Sequence, residues 1–157
     1  MGEVYLSRDG LRKLQEELKE LKTSERPTVR DALARAREFG DLSENAEYAA
    51  AKERLMFLEQ RINRLEETLS RASLLENEDI PDDKVYIGAT VKLEDLVKKA
   101  ELTYTLVSPE EANFEEGKIS TTSPIGRGLL GKPEGEEVEI NVPAGTLHYK
   151  VLKISRE

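Results

Sequence analysis

Apolar residues recur at alternating steps of three and four along the first half of the chain, and in alternating or β-branched runs along the second. The helical spacing is cleanest over Tyr48, Ala51, Leu55, Leu58, Ile62, Leu65, Leu69 and Ala72, a heptad seam that needs a partner helix. Upstream, Leu11, Leu14, Leu18 and Leu21 keep that spacing, and Val29, Leu33 and Ala36 resume it less regularly. The register slips near Pro27, where a missing N–H and a ring clash predict a kink or a division of the helix. Between the two halves lies Phe39-Gly40-Asp41-Leu42-Ser43-Glu44, with Gly40 suited to a C-cap and Asp41 or Ser43 to an N-cap. A turn this short forces the helices antiparallel. The pattern therefore predicts a coiled-coil hairpin over residues 1–75 with its tip at 40–48. Its longer arm, Glu44 to Leu75, would run about 45 Å at the usual helical rise. Alanines at 32, 36, 46, 49, 50 and 51 make the tip slender.

Residues 76–84 have no periodicity and read as a linker. Beyond it, Val85–Leu93, Leu102–Val107, Val138–Val142 and Leu147–Ile154 read as strands, with Ala144-Gly145-Thr146 as a terminal hairpin turn. The run from Ser123 to Gly131 predicts a short helix starting at Pro124, capped by Ser123 and ended by Gly131. The expected fold is α+β in two domains: an antiparallel helical hairpin, then a small, mostly antiparallel sheet with short helices over 85–157.

Composition narrows the chemistry. Of the 157 residues 36% are charged, more than a compact core needs and in keeping with a long solvated helical element. There is no cysteine and one histidine, His148, so thiol catalysis and multi-histidine metal sites are excluded. His148 falls in the last strand and reads as structural or exposed. No apolar run approaches the roughly 20 residues of a membrane span, and Met1–Asp9 lacks the apolar core of a signal peptide. The chain reads as soluble and cytoplasmic. A net charge of -8 argues against wrapping free duplex DNA, so any nucleic-acid contact must use a local patch.

The candidate chemistry lies at the hairpin turn. Asp41 and Glu44 stand three apart, and two readings fit. As a capping pair, Asp41 accepts from the Glu44 N–H while Glu44 reaches back, both charges favouring the positive end of the second helix. As a functional pair, both carboxylates share one face at the extreme tip and offer oxygen ligands to a magnesium ion. Two such ligands make half a site, useful only where a partner macromolecule supplies the rest. Arg37 and Lys52 flank the turn, either as a solvated mixed-charge surface or as a patch attracting RNA phosphates. Tyr48 lies on the seam and reads as packing; Asn45 reads as a residue of the first helical turn. No phosphate loop, nucleophile elbow or paired-histidine motif is present.

Gly40-Asp41-Leu42-Ser43-Glu44-Asn45-Ala46-Glu47-Tyr48 closely resembles the tip signature of the GreA family of transcript-cleavage factors, and the segment from Ser123 to Lys132 resembles that family's second motif. The resemblance covers essentially the whole chain. It implies an N-terminal coiled coil that enters the secondary channel of RNA polymerase and an FKBP-like C-terminal domain that docks beside it, with Ser123, Pro124, Ile125 and Arg127 as candidate docking residues. It further implies that Asp41 and Glu44 help hold a magnesium ion shared with the polymerase and position the water that cleaves a backtracked RNA 3′ end. Asn45 and Tyr48 match supporting tip residues, and Arg37 and Lys52 match the basic patch. Lys52 stands where Arg is common in relatives, and Phe39 where some carry a polar residue. The expected protein is a monomer without independent enzymatic activity. Other functions on the same sequence are a channel inhibitor, whose relatives alter the tip acids, a prolyl isomerase, which needs a richer aromatic pocket, and a structural adaptor.

Overall fold

The computed structural model describes residues 3–40 and 44–156. The chain divides into two compact units: one holds Asp9–Ala72, the other Ser73–Glu157 together with Tyr5–Arg8. Each is described by itself.

The first unit is a helical hairpin. Helix α1 spans Arg8–Glu20, a π-helical turn spans Leu21–Glu25, α2 spans Arg26–Arg37 and α3 spans Ala46–Ser70. Cross-helix bonds run Asn45 to Ala36, Glu59 to Arg26 and Arg61 to Glu17, numbers rising on one arm as they fall on the other, so the arms are antiparallel. Besides Gly10, the buried positions on the first arm are Leu14, Leu21, Val29 and Ala36, spaced seven, eight and seven. The eight is the register slip seen in the sequence, and the π turn absorbs it. There the Arg26 N–H donates to the Leu21 carbonyl five residues back, which takes up one extra residue without turning the seam outward. Pro27 follows at once at the start of α2, where its missing N–H costs least. The Thr23 and Thr28 hydroxyls cover the carbonyls of Lys19 and Ser24 on either side.

On α3, Ala51, Leu58, Ile62, Leu65 and Thr68 are buried. Two bidentate pairs brace the seam from outside: Arg26 with Glu59 at 2.8 and 2.7 Å, and Arg61 with Glu17 at 2.7 and 2.8 Å. The helix stops at Ser70, short of the expected Leu75, and its 25 residues reach about 37 Å. Ala72, expected on the seam, lies instead in strand β2 (Ala72–Leu74), which pairs with β1 (Val4–Leu6) in a two-stranded ribbon. Strand pairing overrides the end of the helical pattern here.

The second unit is a five-stranded sheet ordered β5-β4-β3-β7-β6, built from β3 (Thr90–Asp95), β4 (Ala100–Val107), β5 (Lys118–Ser120), β6 (Glu137–Val142) and β7 (Gly145–Ser155). All pairings are antiparallel except β4 with β5. The core joins Val91 and Leu93 of β3, Leu106 of β4, Val138 and Ile140 of β6, and Tyr149 and Val151 of β7. Short helix α4 (Pro124–Leu129) adds Leu129. Burial, with Tyr104 and Asp95 nearby, pushes the Tyr149 phenol up to about 12.

Three local expectations shift. The strand foreseen from Val85 begins only at Thr90, because Gly88 adopts φ +90 and turns the chain. The terminal hairpin turns on Pro143-Ala144, with Val142 paired to Gly145, one residue earlier than the pattern placed it. Strand β5 is three residues long, too short to leave a periodicity.

Candidate functional site

The tip of the hairpin is assembled by two helix ends. Helix α2 closes with the Phe39 N–H on the Ala36 carbonyl (3.2 Å) and the Gly40 N–H on that of Arg37 (3.5 Å), Gly40 taking φ +101. Helix α3 opens at Asn45, whose backbone is extended and whose Oδ1 accepts from the Tyr48 N–H at 3.0 Å. The Asn45 Nδ2 donates to the Ala36 carbonyl at 2.6 Å. One amide thus caps α3 and also gives the Ala36 carbonyl, already bonded to the Phe39 N–H, a second donor across the tip.

This corrects the capping reading of the sequence. Asp41 and Ser43 lie outside the described residues, and α3 starts at Asn45, after both of them. Glu44 therefore precedes the cap, so the shared helix face inferred from the three-residue spacing does not apply to it. Its side chain is exposed and has no ion-pair partner among the described residues. Asn45, read as a plain first-turn residue, is the residue that fixes the turn. Its type was the available signal, since Asn ranks among the strongest N-caps and Glu47 supplies the acid expected in the first turn.

The Arg37 guanidinium lies over the half-buried Tyr48 ring, 5.8 Å from its centroid, which holds the cation beside the turn. Lys52 is exposed one helical turn beyond Tyr48 and, among the described residues, has no ion pair. Arg35, by contrast, is engaged by Asp31 at 2.7 Å. Phe39, Glu44, Asn45, Ala46 and Glu47 line an open concavity of about 440 Å³.

As to metal, no cluster of three or more His, Cys, Asp or Glu side chains stands ready among the described residues. Magnesium prefers six oxygen ligands and keeps several waters. The exposed Glu44 carboxylate is one oxygen donor of the kind that magnesium takes.

In the second unit the expected short helix forms as the sequence indicates. The Ser123 Oγ accepts from the Gly126 N–H at 3.0 Å and donates to the Ser120 carbonyl at 2.6 Å, while Pro124 occupies the first turn. A Cβ at Gly126 would stand 2.0 Å from the Ser120 carbonyl oxygen, so only glycine lets α4 lie against the end of β5. Pro124 and Arg127 are exposed; Ile125 packs partly on the core. Ser123, Pro124 and Ile125, with Phe114, Ile119 and Val142 among others, line a mostly apolar cavity of about 320 Å³. His148 pairs with Glu139 across β6 and β7 at 3.4 Å. No helix of the described residues is long and apolar enough to cross a membrane.

Comparison with known proteins gives consistent matches. The family model described as "Transcription elongation factor, N-terminal" matches residues 4–74, and that described as "Transcription elongation factor, GreA/GreB, C-term" matches residues 80–156. A transcription elongation factor GreA from Chloroherpeton thalassium is 54% identical over 151 residues, spanning 96% of each chain. One from Flavobacterium johnsoniae is 49% identical over 153 residues, spanning 98% of this chain and 97% of its own. The crystal structure of GreA factor homolog 1 of Thermus thermophilus is 32% identical and is matched over 98% of this chain and 99% of that one, with a TM-score of 0.45.

Proposed function

This chain belongs to the GreA/GreB family of transcription elongation factors, and we propose that its hairpin tip completes the RNA-cleaving site of a backtracked RNA polymerase. The observation that carries the reading is the Asn45 lock. It ties both helix ends together through two bonds and leaves the Glu44 carboxylate, next to it in the chain, exposed and unengaged among the described residues. A carboxylate held forward by a braced backbone is preorganised to act as a ligand in a partner's site.

In this reading Glu44 and Asp41 hold a magnesium ion jointly with polymerase groups. The ion, when bound, supplies a lowered water pKa and charge stabilisation for hydrolysis of the RNA phosphodiester. Asn45 ties the two helix ends together, so Glu44 beside it meets the partner at a reduced ordering cost. Arg37, steadied on Tyr48, and Lys52 draw RNA phosphates toward the acidic turn. The factor reaches the polymerase through its secondary channel, with the face around Ser123, Pro124, Ile125 and Arg127 as the docking surface. It acts in the cytoplasm as a monomer and has no catalytic activity alone. The inhibitor alternative loses ground because both tip acids are present.

The test is a stalled, backtracked polymerase complex with magnesium and labelled RNA. The wild-type factor is expected to shorten the RNA, and the double variant Asp41→Asn/Glu44→Gln to bind without shortening it. Normal cleavage by that variant would remove the acids from the mechanism.

A further inference from the structure

We propose that Phe39 is a stacking platform for the nucleobase at the extruded 3′ end of the RNA. The inference rests on the reading of the tip given above and adds the group that receives the base.

All three phenylalanines of the chain are exposed rather than in a core: Phe39 at 70%, Phe57 at 56% and Phe114 at 71%. Phe114 has a ring partner, Tyr104, at 6.2 Å, and borders the apolar cavity of the second unit. Phe57 lies on the outer face of the stem beside the exposed Met56. Phe39 alone stands at the tip, with no ring contact among the described residues. The other tip aromatic, Tyr48, is half-buried and already holds the Arg37 guanidinium over its ring.

The Phe39 ring is presented by a fixed backbone. Its N–H and that of Gly40 close the last turn of α2, so little ordering remains to be done when a ligand arrives. The open concavity it shares with Glu44, Asn45, Ala46 and Glu47 measures about 440 Å³.

Charge then selects the occupant. Glu47, which the proposed metal site does not use, lines the concavity, so a bare phosphate is repelled beside it, and a wholly apolar partner would strand its carboxylate. A nucleobase satisfies both constraints. Its π face covers the ring, and its N–H groups, exocyclic in A, G and C and on the ring in U, offer a donor to the Glu47 carboxylate. The phosphates are left to Arg37 and Lys52. Such stacking tolerates any base, because every base has a π face, as a factor acting at arbitrary sequences requires.

The experiment measures single-turnover RNA cleavage in backtracked complexes at saturating factor. Phe39→Ala is expected to slow cleavage about tenfold, or about 1.4 kcal/mol. Phe39→Trp should restore the rate and Phe39→Leu should not. On RNA whose extruded terminal nucleotide is abasic, wild type and Phe39→Ala should cleave equally. The proposal is overturned by wild-type rates from Phe39→Ala, by full rescue with Leu, or by a defect that persists on abasic RNA. Failure of the parent reading looks different, since the wild type itself would then not cleave the base-bearing RNA.

Discussion

The two units hold themselves together in opposite ways. The sheet unit closes a continuous apolar core in which Val91, Leu93, Leu106 and Val151 are fully buried. The hairpin has a single line of buried side chains, flanked by ion pairs at the edge of solvent, and its two helix ends are joined at the tip by one amide and one cation over a ring. A narrow seam cannot bury much. It does leave nearly every other surface free, and a thin probe with an exposed carboxylate at its end needs that freedom. Stability is concentrated where no proposed chemistry happens, and the proposed chemistry sits where packing is sparsest.

The contrast is sharpest under truncation of the two cores. Leu93→Ala opens a cavity among neighbours that are themselves enclosed, and is expected to destabilise its unit by about 3–4 kcal/mol. Ile62 is equally inaccessible, yet its neighbours on the seam border solvent and can relax; Ile62→Ala should cost about 2 kcal/mol. Hydrogen exchange resolved by unit checks this. An equal or larger loss in the hairpin would show that the seam is as rigidly packed as the sheet.

Alkaline pH should strike the sheet unit selectively. Tyr149 ionises near 10.0 when unfolded and at about 12 when folded, chiefly because burial disfavours the phenolate. An acid whose folded pKa is raised contributes its stability in full below pH 10 and loses it as pH rises through 12. The expected loss over that window is roughly 2–3 kcal/mol, absent in Tyr149→Phe. Denaturant titrations of both proteins at pH 9 and 12 make the comparison, and parallel losses would remove Tyr149 as the cause.

How legible each unit was follows from the same contrast. The α3 seam could be read because each of Ala51, Leu58, Ile62 and Leu65 faces one partner helix, so burial and period coincide. The slip at Pro27 was visible, but its resolution was not, because a π turn has no compositional signature. Strands β1 and β2 escaped notice because three-residue pairings leave no period. In the sheet unit, Ser123 and Pro124 declared the start of α4 through side-chain chemistry that acts locally. At the tip, the pattern singled out Asp41 and Glu44 and placed Asn45 at the start of the helix, the resemblance adding it as a supporting residue; its bond to Ala36 was not legible, since it depends on two chain segments meeting.

That bond sets the next prediction. Asn45→Ala removes the cap and the cross-tip bond to the Ala36 carbonyl, and should cost the hairpin about 1–2 kcal/mol. Asn45→Asp keeps the acceptor for Tyr48 and loses only the donor, so about half the loss should return, with RNA cleavage still impaired because the turn is no longer tied across. Thermal melts set beside cleavage rates separate the two bonds; full activity in Asn45→Asp would show that the cross-tip bond is dispensable.

The smallest effect is expected at the ion pairs that frame the stem. Arg61 grips Glu17 in a bidentate pair, and its hydrogen bonds hold the Glu17 carboxyl below the usual carboxylate range. Both side chains are more than a third exposed, at 43% and 38%, so water and salt discount the attraction, and Arg61→Ala should cost about 0.5 kcal/mol or less. The sign with pH is fixed by the depressed carboxylate: its contribution is present above the unfolded pKa and is lost as pH falls through the lower, folded one. Wild type and Arg61→Ala should therefore converge in strong acid, and also in molar salt at neutral pH, where the screening length shrinks to about 3 Å. A difference that survived both treatments would mean that the Arg61 stem packs on the seam as an apolar side chain, and that the hairpin has more core than its single line of buried residues displays.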